Sequence, residues 1–379
     1  MRRIGFLLFS HRQSTWLPAQ QTPQALMRPP PALPLRICAT LVLGVLAALA
    51  CTWLHTPLPW MIGPLLASAI VSMRGAPTAA WEPLRHGAHW VIGMGLGLYF
   101  TPQVVALVAG IWWAIVMGIV WAFALGLGFG WLLQRVNAGK IEGLNVATTF
   151  CASTIGGASE MALLAERLGA RLDLVAAAHS LRLVVVVTTI PFIVTAGGWH
   201  GVDATQPGPK VVSWGGLALL LLATGAAAGL MQWRNWTNPW MLGPLFAAFA
   251  LTATGQELSA VPLAWSNAAQ LVIGLSLGVR FTPVFMQAAP RWMATVAAGT
   301  LAMMLACAGF AWLLAGVSGL HPISVMLGTS PGGITEMAVT AKVLQLGVPV
   351  VTAFHVTRMA AVVLLAGPLF VWRYGYKNT

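Results

Sequence analysis

The sequence predicts an all-α polytopic membrane protein made of two inverted-topology repeats, with about ten spans plus two broken or re-entrant elements. Hydrophobic residues make up 58% of the 379 residues and charged residues only 7%. Soluble domains carry roughly 25% charged residues, so a soluble fold is excluded. A set of motifs also occurs twice in the same order, and basic residues change sides of the membrane between the two copies.

Apolar segments fall into two sets of six, which a chain of this length accommodates with short loops. We predict a disordered cytoplasmic tail over 1–35, a membrane repeat over 36–200, a linker over 201–211 and a second membrane repeat over 212–373. The net charge of +12 does not indicate nucleic acid, because the basic residues are scattered over loops that face lipid headgroups. The four cysteines have no metal-site spacing, so neither a disulfide framework nor a zinc site is indicated.

Three motifs define the repeats. They are Pro-Trp-Met-x-Gly-Pro, Phe-Thr-Pro and Gly-Gly-x-x-Glu-Met-Ala, at 59–64, 100–102 and 156–162 and again at 239–244, 281–283 and 332–338. We expect the first motif to set a helix entry at the membrane interface, since proline is tolerated in the first turn, and the second to mark a turn or kink. The pairs Gly93 with Gly97 and Gly274 with Gly278 predict close helix crossings. Motif offsets of 176 to 181 residues indicate duplication and fusion.

The basic residues indicate that the two repeats are inverted. In the first half they follow the second and fourth apolar segments, and in the second half they follow the first and third. Inversion requires an odd number of crossings per half, so the Gly-Gly segments 144–165 and 321–341 are predicted to be re-entrant or broken. Both termini are then cytoplasmic, and the expected location is a bacterial inner membrane.

The Gly-Gly sequences are the first candidate binding elements. Glycine lowers helix propensity, and an interrupted backbone in a membrane is tolerated where it lines a cavity or is packed by protein. Downstream helix N-termini would favour an anion. The alternative is that these glycines only permit close helix packing. The candidate residues at the two breaks are Gly156, Gly157, Ser159, Gly332, Gly333 and Thr335.

Glu160 and Glu336 are the second candidates, since a carboxylate at bilayer depth costs about 2.5–3.5 kcal/mol. One interpretation is a pair of proton- or cation-coupling groups. The other is a structural role in which they form ion pairs with Arg182 and Arg358. The two interpretations are compatible.

Each glutamate is followed 19 residues later by a histidine and three residues further by an arginine, giving the pairs His179 with Arg182 and His355 with Arg358. This spacing puts each pair on one helix face. The arginine would bind an anionic group and the histidine would relay a proton. The alternative is a buried histidine with its hydrogen bonds satisfied. No catalytic residue, metal ligand or cofactor is predicted.

These repeated motifs resemble the AbrB-type integral membrane family, many of whose members were once labelled ammonia monooxygenases. The resemblance covers residues from about 37 to 371 and implies an inner-membrane protein of duplicated architecture with a regulatory or transport role. The plan is also similar to that of cation/proton antiporters and bile-acid-type carriers, whose inverted repeats cross at broken helices. This last step is an analogy at the level of the fold.

The function predicted from these features is a secondary transporter, coupled to protons or cations, for a small anionic solute. The alternative is a membrane-embedded regulator or sensor of gene expression that acts without binding DNA, since no DNA-binding module is visible. An enzyme is not expected, because the eight histidines are scattered rather than clustered. The expected partners are the solute or ion and the lipid bilayer, without nucleic acid, and homo-oligomerisation is left open.

Overall fold

The computed structural model describes residues 33–199, 211–283 and 290–375, and within these ranges the chain forms fifteen helices and no strands. The first half contains α1 (Leu33–Trp53), α2 (Pro59–Met73), α3 (Glu82–Gly97), α4 (Pro102–Gly110), α5 (Trp112–Asn137), α6 (Val146–Ser153), α7 (Ala158–Arg167) and α8 (Leu172–Ala196). The second half contains α9 (Trp214–Trp233), α10 (Pro239–Ala253), α11 (Leu263–Gly278), α12 (Pro290–Ser318), α13 (Pro322–Thr329), α14 (Ile334–Val343) and α15 (Val348–Tyr374). Residues 1–32 of the predicted tail and residues 201–210 of the predicted linker lie outside the described ranges.

Six helices are long and apolar enough to cross a membrane: α1, α5, α8, α9, α12 and α15. The pair α3 and α4 makes a seventh if it counts as one span, although the two axes meet at 85°. The turn or kink expected at the first Phe-Thr-Pro motif is present here. The helix ends at Gly97 and restarts at Pro102, because proline suits the first turn and cannot continue a preceding helix. The predicted all-α, multi-pass class is confirmed, and helix length by itself supports six or seven spans.

Prolines also begin the two short apolar helices, α2 and α10. Pro59 and Pro239 are their first residues, so the helix entry expected at the Pro-Trp-Met-x-Gly-Pro motif is present, and Pro64 and Pro244 lie inside the helices. The preceding residues, Leu58 and Asn238, have left-handed backbones with φ of 48° and 49°. Both helices therefore begin after the same sharp turn.

The helices pack as two groups. The panel group comprises α1, α2, α3, α9, α10 and α11, and the core group comprises α5–α8 and α12–α15. Within the panel group, α3 of the first half packs along α10 of the second, and α2 packs along α11. Within the core group, α8 packs against α12, and α15 packs against α5. Each group is thus assembled from both halves of the chain.

The closest crossings in the panel group depend on glycine. A Cβ atom on Gly93 would collide with the backbone carbonyl of Met241, and one on Gly274 would collide with the carbonyl of Met61. The second glycine of each pair likewise faces the backbone of the opposite helix. The close crossings predicted from these glycine pairs are therefore confirmed.

Candidate functional site

The two Gly-Gly sequences interrupt helices of the core group. Helix α6 ends at Ser153 and α7 begins at Ala158, while α13 ends at Thr329 and α14 begins at Ile334. Glycine disfavours the helix at both places, and Pro331 adds to this in the second half. Each break leaves carbonyls at the end of one short helix and amides at the start of the next without intrahelical partners. The predicted breaks are present in both halves.

Arg182 and His179, on α8, bind the carbonyls at the end of α6. The Arg182 guanidinium donates to three consecutive carbonyls, ending with that of Thr154 at 3.2 Å. Its Nη2 also donates to Nδ1 of His179 at 2.9 Å, and Nε2 of His179 donates to the carbonyl of Cys151 at 2.9 Å. Because Nδ1 accepts, the histidine carries its proton on Nε2.

The second half repeats this arrangement on α15, with two shorter carbonyl bonds and one of 3.5 Å to Thr329. Arg358 donates to the carbonyl of Ser330 at 2.7 Å, to that of Gly332 at 3.0 Å and to Nδ1 of His355 at 2.8 Å. Nε2 of His355 donates to the carbonyl of Leu327 at 2.9 Å. Both arginines thus place positive charge at the negative end of a short helix.

The alternative role predicted for the glutamates is wrong. Glu160 forms no ion pair with Arg182, and Glu336 forms none with Arg358. Each guanidinium instead donates hydrogen bonds to carbonyls at the end of the broken helix. These carbonyls have no intrahelical partner, and the several N–H groups of an arginine can bind more than one of them. The ion pairs among the described residues join Arg85 and His86 to Glu82 and join Arg171 to Asp173.

Glu160 and Glu336 lie at the other side of each break, at the third position of α7 and α14. Each carboxylate folds back over the glycine three residues before it, Gly157 or Gly333. A carboxylate here balances the positive end of the helix dipole. Glu336 is only 7% exposed, whereas Glu160 is half-buried.

A cavity of about 520 Å³ lies between the panel group and the core group. Its core-group wall carries both breaks and both glutamates, so the two halves bring their matching motifs to one place. Its panel-group wall is formed by the start of α3, the connection between α9 and α10, and the end of α11.

Most of the residues predicted for the site line this cavity. They are Gly156, Gly157, Ser159, Glu160, Gly332, Gly333, Thr335, Glu336, His355 and Arg358. His179 and Arg182 do not line it, since both are buried against the end of α6. No group of three His, Cys, Asp or Glu side chains in the described ranges is placed to hold a metal ion.

The panel-group wall contains polar residues outside the repeated motifs. Of these, the sequence singles out Arg280, which has Tyr99 at the matching position of the first half and is expected to contact substrate or a headgroup. Arg85, His86 and His89 come from the first turns of α3, and the ring of His86 stacks on Trp240 with centroids 5.7 Å apart. Arg280 follows the end of α11. In the sequence, Arg85 looks like an ordinary basic residue of a loop. The packing of α3 on α10 brings it to the cavity.

Interrupted helices, apolar spans and a cavity lined by charged residues define a multi-pass helical membrane protein. The model of the family described as "Transition state regulatory protein AbrB" matches residues 60–373, and the chain belongs to that family. It is 27% identical over 349 residues to "Putative regulator AbrB" of Escherichia coli (strain K12), which covers 89% of this chain and 97% of the relative. It is also 23% identical over 337 residues to "Uncharacterized protein YhjN" of Bacillus subtilis (strain 168), covering 82% of this chain and 86% of the relative.

Proposed function

We propose that this protein is a secondary transporter, coupled to protons or cations, that moves a small anionic solute across the bacterial inner membrane. The observation that carries the proposal is the meeting of two helix breaks and two carboxylates at one cavity between two helix groups. Broken helices that meet at a cavity between repeats are how many transporters bind substrate and ions.

The proposed architecture is two inverted repeats with about ten spans, two re-entrant elements and both termini in the cytoplasm. Corresponding helices have equal lengths, which supports the repeat: 15 residues in α2 and α10, 16 in α3 and α11, and 8 in α6 and α13. The reciprocal packing of α3 on α10 and α2 on α11 supports it further. The exchange of basic residues between loops favours inversion.

Coupling in this proposal follows from the position of the two carboxylates. An ionised Glu160 or Glu336 balances the positive N-terminus of its helix and repels an incoming anion. A proton taken up by the carboxylate removes that repulsion and leaves the helix N-terminus to attract the solute. Proton and anion then enter the cavity together, which is symport.

Access to the cavity in this proposal is from the cytoplasm. Its wall includes Arg85 and the turn after α9, at Asn235, and both belong to segments that the basic residues place inside. The matching segments of the other half, around His55, are not part of the wall. Movement of the core group along the panel group would carry the two breaks toward the opposite face. His179, Arg182, His355 and Arg358 would keep the breaks rigid during that movement.

Uptake into proteoliposomes tests the proposal. The full chain is reconstituted and offered radiolabelled small carboxylates and sulfonates, with and without an inward pH gradient, and empty liposomes correct for passive diffusion of protonated acids. We expect gradient-dependent uptake that is lost in the double variant Glu160→Gln, Glu336→Gln. Glu166→Gln, an exposed change on the same helix, is the matched control. Uptake by the double variant at the wild-type rate would remove the coupling role.

The alternative is a membrane-embedded regulator or sensor that acts without binding DNA. The names of the family and of the Escherichia coli relative favour it. It predicts no solute flux and a cytoplasmic protein that co-purifies with the chain. Neither function requires the protein to make or break a covalent bond.

A further inference from the structure

Arg280 is a cation of the cavity wall that the coupling scheme does not use. It lies just beyond α11 and faces the breaks from the panel group. Its guanidinium makes no hydrogen bond or ion pair with any side chain or carbonyl in the ranges that the structure describes. Tyr99 stands at the corresponding position of the first half, so this charge belongs to one repeat only.

The other cations of the wall are already engaged. Arg85 is paired with Glu82 at 2.6 Å, and His89 Nδ1 is bonded to the carbonyl of Arg85 at 2.8 Å. Arg358 donates to the carbonyls of its break. Arg280 and Glu336 attract each other electrostatically without forming an ion pair. Of the basic residues placed on this wall by the described residues, Arg280 is therefore the arginine whose charge is not already paired with a carboxylate or with backbone carbonyls.

The rest of the wall limits what the ligand can be. Apolar side chains from both helix groups contribute to it, namely Ile155, Leu183, Ile273, Leu277 and Met359. A volume of about 520 Å³ is within the range of sites for small organic molecules and exceeds what one inorganic ion fills. An arginine fork matches the planar geometry of a carboxylate and donates two parallel bonds to it.

The geometry points to a small organic carboxylate as the ligand, with its charged head on Arg280 and its apolar body against the core-group wall. This inference rests on the proposed function for its biological meaning, but it concerns binding and is tested without transport. The tryptophans of the wall, Trp236 and Trp240, give an optical signal.

The test is binding to the full chain purified in detergent, followed by tryptophan fluorescence. Benzoate is compared with benzamide, its neutral analogue of the same shape, and with inorganic phosphate. Because a hydrogen bond to a charged group contributes more than a neutral one, we expect Arg280→Gln to weaken benzoate binding by about tenfold or more. Arg280→Lys is expected to retain part of the affinity. Arg74→Gln removes an exposed charge and is the matched control.

Each outcome decides the inference. Benzoate binding that falls with Arg280→Gln, while benzamide binding stays the same, supports it. Equal benzoate affinity in the wild type and Arg280→Gln overturns the role of Arg280. Binding of phosphate alone, or of neither anion, overturns the ligand class. If benzoate binds through Arg280 and no carboxylate is carried into proteoliposomes, the site stands and the transporter proposal fails.

Discussion

Replacing Arg358 with glutamine tests whether this arginine holds the broken helix together or binds the solute. The structure gives it three bonds of ordinary length, to Ser330, Gly332 and His355, at 2.7 to 3.0 Å. Glutamine is too short to reach all three acceptors. Each buried acceptor left without a donor costs about 1–3 kcal/mol. We therefore expect Arg358→Gln to lower the free energy of unfolding by about 3–5 kcal/mol, as when one partner of a buried charged contact is removed.

Arg182→Gln provides an internal comparison in the other repeat. Three of the four contacts of Arg182 lie at 3.2 to 3.4 Å, and its Nε has no partner among the described residues. The loss should therefore be smaller, about 1–3 kcal/mol. The predicted order of stability is wild type, then Arg182→Gln, then Arg358→Gln.

Thermal unfolding of the detergent-solubilised chain, followed by tryptophan fluorescence, measures this order. Arg291→Gln, at an exposed position whose one contact is 3.5 Å long, should melt close to the wild type. An Arg358→Gln protein that melts with the wild type but fails to bind or move a solute would refute the reasoning. It would assign Arg358 to the ligand instead of the helix end.

Further predictions concern packing and topology. Gly274→Ala should destabilise the protein by about 1–3 kcal/mol, because its methyl group would collide with the carbonyl of Met61. Gly95→Ala, whose nearest neighbouring atom is 3.7 Å away, should be nearly neutral, and equal melting temperatures would contradict the close crossing. In a cysteine-free background, His55→Cys and Asn235→Cys occupy matching turns with φ of 52° and 53°. A membrane-impermeant maleimide should label them from opposite sides, and labelling from one side would contradict inverted repeats.

The features that could be predicted from the sequence are those set by single residue types. The helix entries at the first motif are present because the ring of Pro59 or Pro239 fits the first turn, and the turn expected at Phe-Thr-Pro is present before Pro102. Adjacent glycines break α6 from α7 because they have low helix propensity. The close crossing at Gly93 follows from the missing side chain.

What could not be predicted depends on which partner a long side chain reaches. The spacing of His179 and Arg182 predicted that they share a helix face, but it did not predict their hydrogen-bond partners. Those partners are backbone carbonyls at a helix end, and every residue type has a backbone carbonyl. The panel-group wall other than Arg280 was missed for a similar reason. Arg85 lines the same cavity as the break at Gly332 because α3 packs along α10, and that is a contact between distant parts of the chain.

The reciprocal packing of α3 on α10 and of α2 on α11 has a consequence for biosynthesis. A nascent chain that ends after α8 already contains Gly93, but the helix that this glycine contacts has not yet been made. The panel group can therefore close only after α10 and α11 have left the ribosome. Until then, α2 and α3 lack the helices they pack against, which makes the later helices an obligatory part of the earlier half's fold.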